Sequence, residues 1–287
     1  MLLRAEAPAK IDRELRVGAR RPDGFHEIRS RFCTIDLADR LEIEAAEVLE
    51  IACAGLPVPE GNSNLVARAA AGLAEELGIA PRARIRLEKR IPVGAGLGGG
   101  SADAAVTLLL LSRLWDSPLS AVGLSNVAAR VGSDVPFFLH GGEADVAGRG
   151  EHVTPREDGP PRELLLLVPP FSIATGDVYA AYSRRTDGAA RLPERLEIDE
   201  TRNFLGPNDL ALAVLETNRQ MEDYLKSARE VATESGITGS GSALVLCGVS
   251  AEGEKRLASR HPEASVYRVA TVSRADYTHR TSQGGGP

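Results

Sequence analysis

Between Ile91 and Ala105 the chain reads IPVGAGLGGGSADAA, with glycine at 94, 96, 98, 99 and 100. These glycines strip the side chains from a segment that joins two very different neighbours. Before it, ARIRLEK (83–89) alternates with period two and predicts a strand. After it, SADAAVTLLLLSRLW (101–115) is apolar nearly all round and predicts a helix buried on most sides. One or two glycines would serve a tight strand–helix turn or a hinge. Five, with the apolar Leu97 among them, free consecutive N–H groups to face an anion at a helix start, where the helix dipole adds a favourable field. Ser101 stands in the first turn, where its hydroxyl can cap the helix, touch a phosphate or help hold Mg²⁺.

Three nucleotide loops share this outline. A P-loop requires Lys after its glycines, and none follows here. The dinucleotide fingerprint G-x-G-x-x-G is met by Gly94, Gly96 and Gly99, but its context is absent. The preceding strand carries Arg84, Arg86 and Glu88 in alternation, whereas the first strand of a buried parallel sheet is a continuous apolar run. Pro92 also interrupts the approach. What remains is a bare-backbone loop that presents a helix N-terminus to phosphate.

The 287 residues suffice for one large or two ordinary domains, and 43% hydrophobic with 26% charged residues is the balance of a soluble globular chain. A net charge of -6 argues against nucleic acid or an anionic membrane as partner, while leaving room for a local basic pocket around Arg20 and Arg21. Cys33, Cys53 and Cys247 form no CxxC pair and read as buried thiols in a reducing compartment. MLLRAEAPAK has no long apolar core, and ELLLLVPP is too short to span a bilayer. The expectation is a cytoplasmic protein, monomer or homodimer, with no membrane partner.

Strands are expected over 2–18 and, in two pieces, over 38–54, each with one wet face. A helix begins at Asn64, with Leu65, Ala69, Leu73, Leu77 and Ile79 on its stripe and Asn62 or Ser63 as cap. Ser120 caps the next helix, and EADVAGRG holds a short strand. Near Thr154 the composition shifts to VTPREDGPPRE, which predicts a connection between domains 1–153 and 154–287. Beyond it come a strand at 164–168, a helix near 176–183, a helical stretch opened by Pro207-Asn208-Asp209, strands at 243–249 and 265–272 around a helix at 251–261, and a disordered tail from Thr278. Strands and helices mix without strict alternation, which favours α+β.

The glycine segment resembles the second signature of the GHMP kinases (galactokinase, homoserine, mevalonate and phosphomevalonate kinases), P-x-x-x-G-L-G-S-S-A. Its G-G-G-S form is that of the branch acting on 4-diphosphocytidyl-2-C-methyl-D-erythritol in the non-mevalonate isoprenoid pathway. APAKID, GARRPDGFHEI, GSDVPFFLHGGEADVAGRGE, NDL and ITGSGSALVL resemble further landmarks of that branch, in order, from residue 7 to 246. The resemblance implies a two-domain α+β fold, N-terminal ribosomal protein S5 domain 2-like and C-terminal ferredoxin-like. It implies a kinase that uses ATP and Mg²⁺ on a cytidine-diphosphate-linked methylerythritol.

The resemblance assigns Lys10 and Asp134 to catalysis, Asp134 as base and Lys10 as its neutralising cation. It assigns Asn64 and the run Pro92, Val93, Gly94, Ala95, Gly96, Leu97, Gly98, Gly99, Gly100, Ser101 and Ala102 to ATP, with Ser101 also the metal contact. Asp12, Phe25, His26, Thr175, Gly239, Ser240 and Gly241 fall to the acceptor. Read without it, Asp134 is equally a turn aspartate, Lys10 a solvated lysine, Phe25 core, His26 a surface polar residue and Asn64 a helix cap. Thr175 is equally a helix start, and 239–241 a strand-entry turn. Two departures stand out: Asp12 where the family has Asn, and Ala211 where an acidic residue is common. The alternatives are another GHMP kinase of homoserine or mevalonate type, or a non-catalytic nucleotide sensor of the same fold.

Overall fold

The computed structural model describes residues 1–59, 61–186, 190–198 and 203–282. A long antiparallel hairpin, β1 (Leu2–Arg20) and β2 (His26–Glu44), organises the larger sheet. To it are added β3 (Glu50–Gly55), β4 (Arg84–Lys89), β5 (Glu143–Gly148) and β6 (His152–Pro155), in the order β3-β4-β2-β5-β6 with β1 beside β2. The helices α1 (Leu65–Leu77), α2 (Gly99–Leu114) and α3 (Ala121–Val131) contribute to one core with this sheet. The smaller sheet contains β7 (Glu163–Val168), β8 (Glu234–Ile237), β9 (Leu244–Cys247) and β10 (Ser265–Ala270), ordered β10-β7-β9-β8 and antiparallel throughout. Its helices are α4 (Thr175–Thr186), α5 (Ala211–Thr217), α6 (Met221–Val231) and α7 (Ala251–Arg260), and α8 (Arg274–Ser282) ends the described chain.

The hairpin does not keep one wet face. Leu3 and Ala5 are buried and Arg4 exposed at its start, as period two requires, but residues 7–15 are buried without a break. The cause is a second partner: Ala9, Ile11, Cys33 and Ile35 share a core with Leu164, Leu166, Val245 and Val269 of the smaller sheet. Each fully buried Leu, Ile or Val there contributes about 1.5–3 kcal/mol. Burial on both faces also erases the alternation over residues 30–35 of β2, which are buried without a break.

Local signals were more faithful. The Asn64 carboxamide oxygen accepts from Val66 N at 2.9 Å, so Asn64 itself, not residue 62 or 63, caps α1. Gly78, at φ +65°, ends that helix and leaves Ile79 outside it, 43% exposed rather than on the buried stripe. The first residues of the expected connection, 153–155, pair with β5 as part of an edge strand. The tail also departs from expectation. Residues 278–282 belong to α8, whose Tyr277 is 1% exposed, lies in the core of the larger sheet and donates to the Phe138 carbonyl at 2.5 Å. One aromatic anchor orders a helix too polar to predict, while residues 283–287 lie outside the described set. Cys33 and Cys247 are buried and Cys53 is exposed, all three as free thiols. Among the described residues, no helix is long and apolar enough to cross a membrane.

Candidate active site

The glycine segment is stitched into the fold at its apolar residues. Ala95 and Leu97, 3% and 1% exposed, enter the core shared by the two sheets. The glycines that flank and separate them, at 94, 96 and 98, take φ of +71°, +81° and +69°, values that side chains resist. Main-chain bonds hold both edges: Lys10 N donates to Leu97 O at 2.9 Å, and Ala243 N to Ala95 O at 3.0 Å. The loop is therefore clasped between β1 and the turn that precedes β9. Gly98 is the N-cap of α2 and offers no side-chain cap, so the first amides of α2 keep their donors free.

This loop borders a cavity of about 1230 Å³. Its wall carries Lys10, Arg20, Arg68, Lys89, Arg130, Arg149 and Arg184 against three acids, Asp12, Asp103 and Asp134. An acidic chain has concentrated positive charge in one cleft, which suits a polyanionic ligand. Arg20 of the expected basic pair reaches this wall, whereas Arg21 is held outside by Asp23 and Glu27. Of the positions expected to hold ATP, all but Ala102 line the cavity. Ala102 lies on the core side of α2 and is fully buried.

Lys10 and Asp134 come together from elements far apart in sequence. Lys10 projects from β1 with a side chain 5% exposed, and its Nζ lies 3.8 Å from Asp134 Oδ2. Asp134 occupies the turn after α3, with 29% of its side chain open. Burial raises its carboxyl above the ordinary range, Lys10 opposes that rise and Asp12 adds to it. Burial likewise works against the charge of Lys10, but Asp12 first and Asp134 second hold its ammonium above the usual lysine value. Asp12 accepts a hydrogen bond from the same ammonium. Lys10 also lies 4.3 Å from the centre of the Phe32 ring.

The acceptor-side residues divide. Phe25, at the hairpin tip, is 47% exposed and lines the cavity, so it is not core. The guanidinium of Arg149 stands 5.1 Å from its ring centre. His26 is buried with both ring nitrogens occupied, Nδ1 at 2.9 Å from Gly18 O and Nε2 at 2.9 Å from Ser183 Oγ. Tyr179, another cavity residue, lies 5.3 Å from it ring to ring. Thr175 and Ser240 share a 3.0 Å hydroxyl contact on the cavity wall, and Gly239 passes beside Asp12 and Lys10. Gly241 does not face the cavity; it turns toward Ile237, Val214 and Ile173 in the core of the smaller sheet. Asn64 caps α1 and also lines the cavity.

Several wall residues carried no sequence signal of their own. Tyr179 sits in an ordinary helical stretch. Lys89 ends an alternating strand as a solvated lysine would, yet its Nζ is buried between Asp39 and Asp103. Asp39 also accepts from the backbone N of Arg90 and Ile91 at 2.5 and 2.8 Å, which fixes the approach to the glycines.

Residues 64–142 match the model of the GHMP kinases N terminal domain. The chain is 36% identical over 283 residues to the 4-diphosphocytidyl-2-C-methyl-D-erythritol kinase of Caldanaerobacter subterraneus subsp. tengcongensis, covering 96% of this chain and 97% of that one. It belongs to that kinase family. A second family member, from Pelotomaculum thermopropionicum, is 46% identical over 184 residues, 63% of this chain and 64% of its own. A crystal structure of 4-(cytidine 5'-diphospho)-2C-methyl-D-erythritol kinase superposes with a TM-score of 0.77 at 32% identity, over 99% of this chain and all of the other. Homoserine kinase from Cytophaga hutchinsonii, 16% identical over 95% of each chain, shares the fold with a TM-score of 0.66. The chain thus has the GHMP kinase fold and is a small-molecule kinase.

Proposed function

We propose that this kinase transfers the γ-phosphoryl group of ATP to a hydroxyl of 4-diphosphocytidyl-2-C-methyl-D-erythritol, in the cytoplasm, as a step of non-mevalonate isoprenoid precursor synthesis. The observation that carries this reading is one cationic cavity holding an uncapped helix start, a lysine–aspartate pair and an exposed aromatic at a hairpin tip. Phosphoryl transfer asks a protein mainly to align its reactants and neutralise charge. The free amides of Gly99, Gly100 and Ser101 receive phosphate oxygens, and Lys10 faces the charge that moves. As the acceptor oxygen forms its bond to phosphorus, the bond to the β-phosphate oxygen breaks, ADP leaves, and the hydroxyl proton passes to Asp134.

Mg²⁺ takes few protein ligands when it travels with a nucleotide, so the single hydroxyl of Ser101 on the cavity wall suits it. The ion, when bound, would supply further charge neutralisation. On the acceptor side, the face of Phe25 stacks on the cytosine. With both His26 ring nitrogens engaged, pairing with the base edge falls to the backbone of that residue.

Two experiments test the reading. An assay of ADP release with the cytidylated alcohol, homoserine and mevalonate in parallel is expected to respond only to the first. Release with another acceptor would reassign the substrate, and silence with all three would favour a nucleotide sensor. Phe25→Ala is expected to raise KM for the cytidylated alcohol about tenfold, in line with a stacking loss of about 1–3 kcal/mol, with KM for ATP unchanged. An equal rise in both constants would remove Phe25 from base recognition.

A further inference from the structure

Lys10 has two carboxylates within reach at unequal range. It donates directly to Asp12 Oδ2, whereas Asp134 Oδ2 at 3.8 Å is beyond hydrogen-bonding distance. The position of Asp12 is over-determined. Its side chain is 3% exposed. Ser30 Oγ, which shares its one proton with the Glu14 carbonyl at 2.6 Å, lies 3.1 Å from Oδ1, and Thr238 Oγ1 donates to Oδ2 at 3.3 Å. Its own N–H donates to Thr238 Oγ1 at 2.7 Å. Groups on β1, on β2 and on the turn before β9 thus aim one buried carboxylate at the lysine.

Building on the kinase reading above, we propose that Asp12 is a positioning residue that engages the Lys10 ammonium and leaves Asp134 a stronger base than a fully lysine-paired aspartate. An asparagine at position 12 would keep the shape but not the charge. With Asp12 and Asp134 both ionised, the three groups sum to one negative charge; with asparagine they would sum to zero. The other polar groups around Asp134 do not offset this. Tyr179 of α4 is held neutral, its phenol pushed up by burial and by both aspartates. The loop after β5 passes Asp134 at Gly150, with Arg149 turned to Phe25 and the Glu151 carboxylate turned back on the Arg149 N–H. Burial raises the Asp134 carboxyl, and Asp12 raises it further against the pull of Lys10.

The sign follows. A base works ionised, so kcat is lost as pH falls through the raised value, at higher pH than for an ordinary aspartate near about 3.9. Asp12→Asn removes the negative neighbour and frees Lys10 toward Asp134. The acid limb of the kcat profile is then expected to move to lower pH, by on the order of one unit. The experiment is kcat against pH for wild type and Asp12→Asn, with thermal melting of both. An active wild type whose acid limb is unchanged by the substitution overturns the role of Asp12 and leaves the kinase reading intact. A folded wild type inactive on the cytidylated alcohol overturns the kinase reading itself. Should Asp12→Asn fail to fold, the difference between carboxyl ¹³C titrations of wild type and Asp134→Asn reports Asp134 directly. A value at or below about 3.9 overturns the proposal, because burial and the Asp12 charge together are expected to hold the carboxyl above it.

Discussion

Replacing Asp134 by alanine is expected to lower kcat by about 10²–10⁴-fold with the protein still folded. The two halves of that expectation have separate causes. Of the two carboxylates beside Lys10 it is the more open, 29% exposed against 3% for Asp12, so in the proposed reaction its loss removes the acceptor for the hydroxyl proton. Its contribution to stability is small, because burial already disfavours its charge and Lys10 keeps Asp12 as a bonded partner. A kcat within about tenfold of wild type, beside an unchanged melting curve, would remove Asp134 from proton transfer. Lys10→Ala is the poorer probe. It strands the Asp12 carboxylate in a buried site, and breaking such a pair costs about 3–5 kcal/mol, so a loss of activity could reflect unfolding.

Gly96→Ala is expected to weaken ATP binding by about tenfold or more, the equivalent of about 1–2 kcal/mol. At φ +81° a Cβ costs about 1–2 kcal/mol in backbone strain alone. It would also stand 2.5 Å from the Thr238 carbonyl oxygen and 3.2 Å from that of Gly241, and neither backbone atom can swing aside as a side chain would. Relief requires the loop to leave that turn, which drags Ala95 and Leu97 out of the core and swings the α2 amides away from the phosphates. Gly100→Ala is the matched control for folding. Gly100 has no positive φ, and its Cβ would meet only Leu65 Cδ1 at 3.6 Å, so its melting temperature should hold or rise. Calorimetric titration of both variants with a non-hydrolysable ATP analogue, beside melting curves, is the measurement. Near-normal affinity in Gly96→Ala would show that the loop does not hold phosphate.

The parts of this protein that can be read locally are those whose cause is local. Asn64, Ser120 and Ser250 each cap a helix with their own side chain, as short-range hydrogen bonding dictates. Strand β4 keeps its alternation because one face meets the core and the other water. Where a second layer covers the wet face, as over residues 30–35 of β2, the periodic signal vanishes. The ordering of α8 was equally hidden, since it depends on a pocket for Tyr277 assembled from distant residues.

The site shows the same division. Five glycines before an apolar helix specify free amides at a helix start wherever the chain is placed, because that consequence needs no partner. Lys10, Asp12, Asp134 and Thr238 carry no such meaning alone. Only the packing of β1 against the turn after α3 and the turn before β9 decides which carboxylate bonds the lysine and which is left facing the cavity. Backbone chemistry is written in adjacent residues, whereas electrostatics depends on through-space distance, and distance between remote residues is settled by the fold.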